Sequence, residues 1–312
     1  MKVLVTGGAG FIGANLVREL LDAGVAEEVV ILDDLSTGDR SNIVDDSRAE
    51  LIEGSILDRT LLASACRGTT SIVHLAAVPS VPRSLEDPLR SHHANATGTV
   101  HVLEAARDTG THVIVASSSS VYGSNPALPK HEGLGTRPRS PYAASKLATE
   151  AYALAYGASF DLDVLAFRFF NVFGPLQRAG HAYAAVIPAF VSAAMAGVPL
   201  TVHGDGSQTR DFTFVGSVTS VIADAIRRRV VSDQPVNLAF GERTSLLELI
   251  ELLEVAFGRE LVRQHVAPRS GDVRDSQADN SVLRALCPEC DPVPLAEGLK
   301  RTIAWFEASE AR

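Results

Sequence analysis

The sequence predicts an α/β protein, built as a doubly wound parallel sheet with a smaller C-terminal α/β lobe. Short β-rich runs alternate with amphipathic stretches of helix length through the first 170 residues, an order typical of βαβ units in a parallel sheet. After residue 171 the pattern breaks into shorter pieces separated by glycine and proline, which indicates a second unit. The chain of 312 residues, 46% of them hydrophobic and 21% charged, can accommodate both. We therefore expect one domain over residues 1–170 and a lobe over residues 171–312, part of which crosses back to the first domain.

The individual elements follow from the spacing of apolar residues. Short runs rich in Val, Ile and Leu predict strands, and apolar residues three or four positions apart predict helices. The strands are predicted at residues 2–6, 28–33, 49–54, 71–75, 112–117 and 162–169. The helices are predicted at residues 12–21, 58–66, 94–107, 142–156, 218–229 and 245–257.

The charge balance narrows the choice of partners. With 28 basic against 37 acidic side chains the net charge is −9, which argues against a nucleic-acid binder or a binder of anionic membranes, since both need a basic surface. No apolar run of 18 residues is present, and a strand-like segment follows Met1 directly. We therefore expect neither a membrane span nor a signal peptide.

The three cysteines, Cys66, Cys287 and Cys290, are too few and too unevenly spaced for a disulfide framework. This indicates a reducing compartment, and we expect the cytoplasm. Cys287 and Cys290 form a single CxxC without a second pair nearby, so the sequence favours an ordinary loop there and predicts no metal site.

A glycine-rich loop joins the first strand to the first helix. Gly7, Gly10 and Gly13 are spaced as GxxGxxG, which allows a tight turn, a close approach of the backbone to a pyrophosphate, and close packing of helix on strand. Asp33 lies 20 residues beyond Gly13, at the end of a β-like run. A carboxylate there accepts the ribose hydroxyls and repels a 2′-phosphate, so the pattern predicts a Rossmann-type domain that binds NAD rather than NADP.

A second motif carries acid–base chemistry. Tyr142 and Lys146 form YxxxK, and a spacing of four places both on one face of a helix. A nearby ammonium lowers the pKa of a phenol, so we expect Lys146 to make Tyr142 a usable general base. The serines at residues 117–120 end a predicted strand, where the ligand crevice of an α/β sheet lies.

Together these motifs resemble the extended short-chain dehydrogenase/reductase family, in particular its nucleotide-sugar epimerases and dehydratases. The resemblance extends from residue 1 to about residue 306 and implies the Rossmann-type fold, bound NAD and a UDP-sugar substrate. Further matching segments are residues 74–77, 95–99, 121–123, 168–175, 185–188, 204–212 and 269–273.

The resemblance also implies roles for single residues. Ser118, Tyr142 and Lys146 match the family's catalytic Ser/Thr, its base and the lysine partner of that base. The family often has Asp at the position of Ser55, so either Ser55 contacts adenine differently or Asp58 takes over. The implied contacts to NAD are Gly7, Gly10, Phe11, Ile12, Gly13, Asp33, Ser55, Ile56, Leu75, Ala76, Ala77, Tyr142, Lys146 and Phe169. The implied contacts to the UDP-sugar are Arg83, Ser117, Ser118, Ser119, Asn171, Arg178, Val186, Arg210, Arg269, Asp272 and Ser276.

Within this family the residues before Val121 indicate the reaction. Dehydratases carry Asp-Glu after the catalytic Ser/Thr, and decarboxylating relatives keep a Glu before VYG, whereas this chain has Ser119 and Ser120. The resemblance therefore implies simple epimerisation at C4 through a 4-keto sugar. A dehydratase with a rearranged acid–base pair and a catalytically inactive NAD-binding regulator are the alternatives.

The substrate is predicted from the residues beside the sugar. Arg83, Arg178 and His181 could neutralise a carboxylate at C6, which favours UDP-glucuronic acid and its conversion to UDP-galacturonic acid. Ser276 occupies a position where the family uses a bulky residue to exclude larger sugars, so UDP-N-acetylglucosamine and UDP-glucose remain alternatives. The helices at residues 94–107 and 142–156 are those that this family commonly pairs, so a homodimer is expected by resemblance.

Overall fold

The computed structural model describes residues 1–179, 185–268 and 274–310. Short 3₁₀ turns lie at Arg40–Asn42 and Ser119–Tyr122, and a π turn lies at His93–Thr97. The strands are β1 Lys2–Thr6, β2 Glu28–Asp33, β3 Ala49–Glu53, β4 Ser71–His74, β5 His112–Ser118, β6 Val164–Phe169, β7 Val172–Phe173, β8 Leu200–His203, β9 Thr209–Arg210, β10 Thr213–Phe214, β11 Val236–Leu238, β12 Thr244–Ser245 and β13 Arg263–Val266. The helices are α1 Phe11–Asp22, α2 Arg59–Ala65, α3 Val81–Glu86, α4 Pro88–His92, α5 Gly98–Arg107, α6 Pro141–Phe160, α7 Val186–Met195, α8 Val215–Arg228, α9 Leu246–Phe257, α10 Ser281–Leu286 and α11 Leu295–Glu310.

The central sheet has seven strands in the order β3-β2-β1-β4-β5-β6-β11. Every neighbouring pair in it is parallel. The chain turns to opposite sides of the sheet after β1 and after β4, and in such sheets ligands bind at the carboxyl ends of the strands beside this switch point. The predicted fold class, a doubly wound Rossmann-type sheet, is confirmed.

Alternating residues of the strands face two different helix layers. Val3 and Val5 of β1 belong to a core that includes α1 and α8, whereas Leu4 between them packs into a core with α2 and α5. This alternation is the period-2 geometry of a strand with both faces covered. The carboxyl ends of the strands are therefore held rigidly between two packed layers.

The chain after residue 170 divides between two cores. Helix α8 and strand β11 return to the central sheet, where β11 pairs with β6. Helices α7, α9 and α11 form a second apolar core with β8. The division into a domain over residues 1–170 and a lobe over residues 171–312 stays a prediction.

Local chemistry explains where two predicted elements differ from the observed ones. Helix α6 runs on to Phe160 and ends at Asp161, which adopts the left-handed conformation that terminates helices, so β6 begins only at Val164. The predicted helix from residue 94 is observed as the π turn followed by α5. Among the described residues, no helix is long and apolar enough to cross a membrane.

Candidate active site

A cavity of about 920 Å³ lies over the carboxyl ends of the central strands. Every residue that the sequence predicted to contact NAD lines this cavity. Among the predicted substrate residues, Arg83, Ser117, Ser118, Asn171 and Arg178 line it as well. The structure therefore brings the predicted cofactor and catalytic residues to one place.

The glycine loop is shaped by close backbone contacts. Gly7 has a φ of +73°, and a Cβ there would lie 2.6 Å from the backbone nitrogen of Ala76. A Cβ on Gly13 would lie 2.2 Å from the carbonyl oxygen of Gly7. Only glycine fits at either position without a shift of the backbone, so β1, the loop and α1 meet at the closest distance that the chain allows.

The N-terminus of α1 is free to hold an anion. Gly10 caps the helix without a side-chain hydrogen bond, and the first turn contains no acidic residue. Phe11, Ile12 and Gly13 of that turn line the cavity. Their backbone N–H groups and the helix dipole fit the pyrophosphate of a dinucleotide.

Asp33 is the last residue of β2 and lies on the cavity wall beside the glycine loop. Its carboxylate accepts hydrogen bonds from the backbone N–H groups of Ala9 and Leu35, both at 2.9 Å. Burial raises the pKa of Asp33 while these two hydrogen bonds lower it. A buried carboxylate on the cavity wall suits ribose hydroxyls and repels a 2′-phosphate, in agreement with the NAD that the sequence predicted.

Ser55, and not Asp58, lines the adenosine side of the cavity. Asp58 caps α2 instead, since its side chain accepts hydrogen bonds from the backbone N–H groups of Thr60 and Leu61, both at 3.0 Å. An Asp directly before a helix commonly acts in this way, and the carboxylate is thereby committed to the helix terminus.

The catalytic candidates come from β5 and α6. The hydroxyl of Ser140 accepts a hydrogen bond from Ala143 N at 3.1 Å, which starts α6 at Pro141 and places Tyr142 in its first turn. Ser118 is the last residue of β5, and its side chain lies close enough to Tyr142 to lower the pKa of the phenol. Lys146 lies one turn after Tyr142, is buried, and donates from Nζ to the carbonyl oxygen of Ala116 at 2.8 Å.

The electrostatics of this group differ from the sequence-based expectation. Burial raises the pKa of Tyr142, and the lowering influence on its phenol is the hydrogen bond to Ser118 rather than the Lys146 ammonium. The expectation that Lys146 lowers the pKa of the Tyr142 phenol is therefore wrong for the protein without a bound ligand. Burial lowers the pKa of Lys146 to about 8, because desolvation disfavours its charged ammonium.

The serines at residues 117–120 do not share one environment, since Ser120 Oγ donates to Ser118 Oγ at 2.9 Å whereas Ser117 is turned elsewhere. The hydroxyl of Ser117 points to Glu150 and donates to its Oε2 at 2.9 Å. Glu150 in turn forms a buried ion pair with Arg168, at 2.6 Å between Oε1 and Nη2. Ser119, in the 3₁₀ turn, does not line the cavity. Of the three serines predicted to contact the substrate, Ser118 is therefore the one whose hydroxyl can serve the site.

Of the arginines predicted to contact the substrate, two line the cavity and a third, Arg210, does not. Arg83 lines the cavity from α3. Arg178 also lines it but forms an ion pair with Asp39 on the adenosine side. Arg210 lies off the cavity wall, and its Nη1 donates to the backbone oxygens of Thr209 and Arg274 at 2.9 and 3.1 Å.

The other predicted substrate residues contribute less directly. Asn171 lines the cavity with a φ of +30°, and its Nδ2 donates to the carbonyl oxygen of Asp211 at 3.2 Å. Neither Val186 nor Ser276 lines the cavity. Val186 is the first residue of α7, and the backbone N–H of Ser276 donates to the carbonyl oxygen of Thr209. Arg269 and Asp272, together with His181, lie outside the described residues.

Several cavity residues escaped the sequence-based reasoning. The segment after β2 (residues 34, 36–39 and 42) and residues 176 and 177 line the cavity. The residues after β2 could have been predicted from the sequence, because loops at the carboxyl ends of parallel strands line the ligand crevice. The second group depends on a long-range contact, in which Asn15 Nδ2 donates to the carbonyl oxygen of Pro175 at 3.0 Å.

Comparison with known proteins agrees with this geometry. The model of the NAD-dependent epimerase/dehydratase family matches residues 3–239. The chain belongs to this family. Its resemblance to the UDP-sugar 4-epimerases of the extended short-chain dehydrogenase/reductases is confirmed, and so is NAD as its cofactor.

Three relatives illustrate the range within the family. A UDP-glucose 4-epimerase of Mycolicibacterium smegmatis is 38% identical, with 98% of each chain covered. The structure of a UDP-N-acetylglucosamine 4-epimerase from Methanobrevibacter ruminantium, in complex with UDP-N-acetylmuramic acid, is 34% identical with a TM-score of 0.94, covering 99% of this chain and 98% of the other. MoeE5, solved with UDP-glucuronic acid and NAD, is 33% identical with a TM-score of 0.86, covering 99% of this chain and all of the other.

Proposed function

We propose that this protein interconverts two UDP-sugars that differ in configuration at C4, through a 4-keto intermediate. The observation that supports this most strongly is the joint placement of Ser118, Tyr142 and Lys146 on the wall of the cavity that also holds the glycine loop and Asp33. The family membership and the 4-epimerases among the relatives agree with it.

The chain's own groups divide the work in the following way. Tyr142 takes the proton of the 4-hydroxyl and later returns one to the 4-keto oxygen, and Ser118 holds that oxygen against the phenol. Lys146 fixes this wall of the site through its hydrogen bond to the carbonyl oxygen of Ala116. When bound, NAD would supply a reversible redox partner for C4.

The same cavity argues against dehydration. Dehydratases of the family carry an acidic pair directly after the catalytic Ser/Thr, at the positions where this chain has Ser119 and Ser120. The acidic residues on the described cavity wall are Asp33, which ends β2, and Asp34 and Asp39, which follow β2 at the adenosine end. The intact trio of Ser118, Tyr142 and Lys146 likewise argues against an inactive regulator.

For the sugar itself we propose UDP-glucuronic acid, converted to UDP-galacturonic acid. A carboxylate at C6 needs a cation to replace its water, and Arg83 supplies one on the cavity wall. Among the described residues no carboxylate forms an ion pair with Arg83, whereas Arg178 is paired with Asp39. MoeE5, which binds UDP-glucuronic acid, shares the fold over the whole chain.

Neutral UDP-hexoses are the second candidate. Two groups that would help to hold a uronate, Ser117 and Arg178, are engaged with Glu150 and Asp39 instead. The Mycolicibacterium relative carries the name of a UDP-glucose 4-epimerase. This candidate predicts that Arg83 contributes little to catalysis.

The two candidates are separated by measuring kcat/KM for the glucuronate, glucose and N-acetylglucosamine pairs with the unaltered protein and with Arg83→Met. If UDP-glucuronic acid is the substrate, Arg83→Met lowers its kcat/KM by about 10–100-fold, the expected loss of a charge-assisted hydrogen bond, and changes the neutral pairs by less than about threefold. Arg59→Met, at the exposed start of α2, is the matched control and leaves all three values unchanged. A glucuronate value in the unaltered protein that is more than tenfold below either neutral pair contradicts the assignment.

The homodimer and the cytoplasmic location stay predictions. The surface of α6 offers two exposed aromatic side chains, Tyr152 and Phe160, to a partner. We propose that α5 and α6 of two copies pair through this surface.

A further inference from the structure

Three potential metal ligands meet away from the active site. The Sγ atoms of Cys287 and Cys290 and a carboxylate oxygen of Asp224 all lie within 4.8 Å of one another. Asp224 belongs to α8, whereas Cys287 and Cys290 follow α10. None of the three lines the active-site cavity, so the proposed epimerase chemistry leaves this cluster unused.

The spacing of these atoms is close to that of a tetrahedral site. Zinc–sulfur bonds of about 2.3 Å place two tetrahedral ligands roughly 3.8 Å apart, so movements of about 1 Å bring all three atoms onto one ion. Both thiols are buried, with Cys287 1% and Cys290 8% exposed. The CxxC turn is held in place by its own backbone, since Cys290 N donates to the carbonyl oxygen of Cys287 at 3.3 Å.

Arg228 provides the charge that such a site needs. It lies one turn after Asp224 on α8, and its guanidinium contacts both carboxylate oxygens, the Leu286 carbonyl oxygen and, at 3.5 Å, Cys287 Sγ. A divalent ion bound to two thiolates and one carboxylate has a net charge of −1, which the guanidinium balances. Hydrogen bonds from such a neighbour also hold the ligands in orientation.

We propose that Asp224, Cys287 and Cys290 form a binding site for a thiophilic divalent cation of the zinc class, with water as the fourth ligand. Binding replaces the two thiol protons, which are released to solvent, and forms two metal–sulfur bonds and one metal–oxygen bond without any change of oxidation state. Because the metal must replace the two thiol protons, zinc affinity increases with pH. The site ties the segment after α10 to α8 and hence to the central sheet.

The test uses the full chain, reduced and freed of metal, and adds zinc chloride or cobalt chloride alone. We expect one equivalent of zinc by elemental analysis, thiolate-to-cobalt absorption in the near ultraviolet, and a Tm that rises by about 3–5 °C at a hundredfold excess of zinc over its Kd. Cys287→Ser and Asp224→Asn each lower zinc affinity by about tenfold or more. Cys66→Ser is the matched control, because Cys66 is also buried but lies in the other core layer.

Asp224→Asn keeps both thiols, so its loss of affinity remains informative if the cysteine variants fold poorly. The proposal is overturned if the reduced protein binds no zinc at micromolar concentrations, or if Cys66→Ser lowers the affinity as much as Cys287→Ser. It is also overturned if the untreated protein is found with a Cys287–Cys290 disulfide and the reduced form takes up no metal.

Discussion

Tyr142→Phe should lower kcat by at least about 10³-fold while the Kd for the UDP-sugar changes by less than about threefold. The substitution removes the phenolic oxygen that exchanges a proton with the 4-hydroxyl, and general acid–base groups contribute about 10²–10⁴-fold to a rate. The aromatic ring remains in the first turn of α6, so the cavity keeps its shape. Kinetics with the preferred sugar pair and calorimetric binding of the same sugar measure the two quantities.

The control for this variant is Tyr152→Phe, which makes the same chemical change on an exposed position of the same helix. It should leave kcat within about twofold, since Tyr152 does not line the cavity and Phe keeps the aromatic ring that faces the proposed partner copy. Activity of Tyr142→Phe within tenfold of the unaltered protein would exclude Tyr142 as the base.

Gly13→Ala should weaken the binding of NAD, so that the purified protein carries less of it. A Cβ at Gly13 would lie 2.2 Å from the carbonyl oxygen of Gly7, so α1 must move away from the glycine loop. Overpacking of this kind costs about 1–3 kcal/mol, which corresponds to a loss of about 5- to 150-fold in affinity if it falls on the binding site. The NAD content after purification and a titration with added NAD measure the effect.

Gly135→Ala is the matched control, because a Cβ there meets no atom within 4 Å and the backbone does not have a positive φ. It should retain the NAD content of the unaltered protein. If Gly13→Ala also retained it, with an unchanged Tm, the close approach of α1 to the loop would not be required for NAD binding.

The fold and the side of the cavity that is predicted to bind NAD could be predicted because the sequence signals for both are local. The alternation of strand and helix patterns, the GxxGxxG spacing and Asp33 each lie within one βαβ unit, and the structure places all of them as the sequence suggested. The YxxxK spacing likewise fixes the relation of Tyr142 to Lys146 on one helix.

The side chains predicted to contact the substrate were harder to place, because their orientation depends on partners that are distant in the sequence. Ser117 is turned away by Glu150, 33 residues later, and Arg178 is engaged by Asp39 across the cavity. No periodicity in the sequence records such pairings. The pKa of Tyr142 was mispredicted for a related reason. Burial raises this pKa and Ser118 lowers it, whereas the YxxxK motif by itself suggests that Lys146 determines it.

The central claim, that a hydrogen leaves C4 and returns to C4 within one site, is tested most directly with a UDP-sugar that carries deuterium at C4. The sugar is the one of the three pairs with the highest kcat/KM, incubated to equilibrium in ordinary water and analysed by NMR and mass spectrometry. The account predicts that the epimer retains the deuterium at C4 and gains no solvent hydrogen at C3 or C5. Loss of the C4 deuterium to solvent, or exchange at C5, would contradict it.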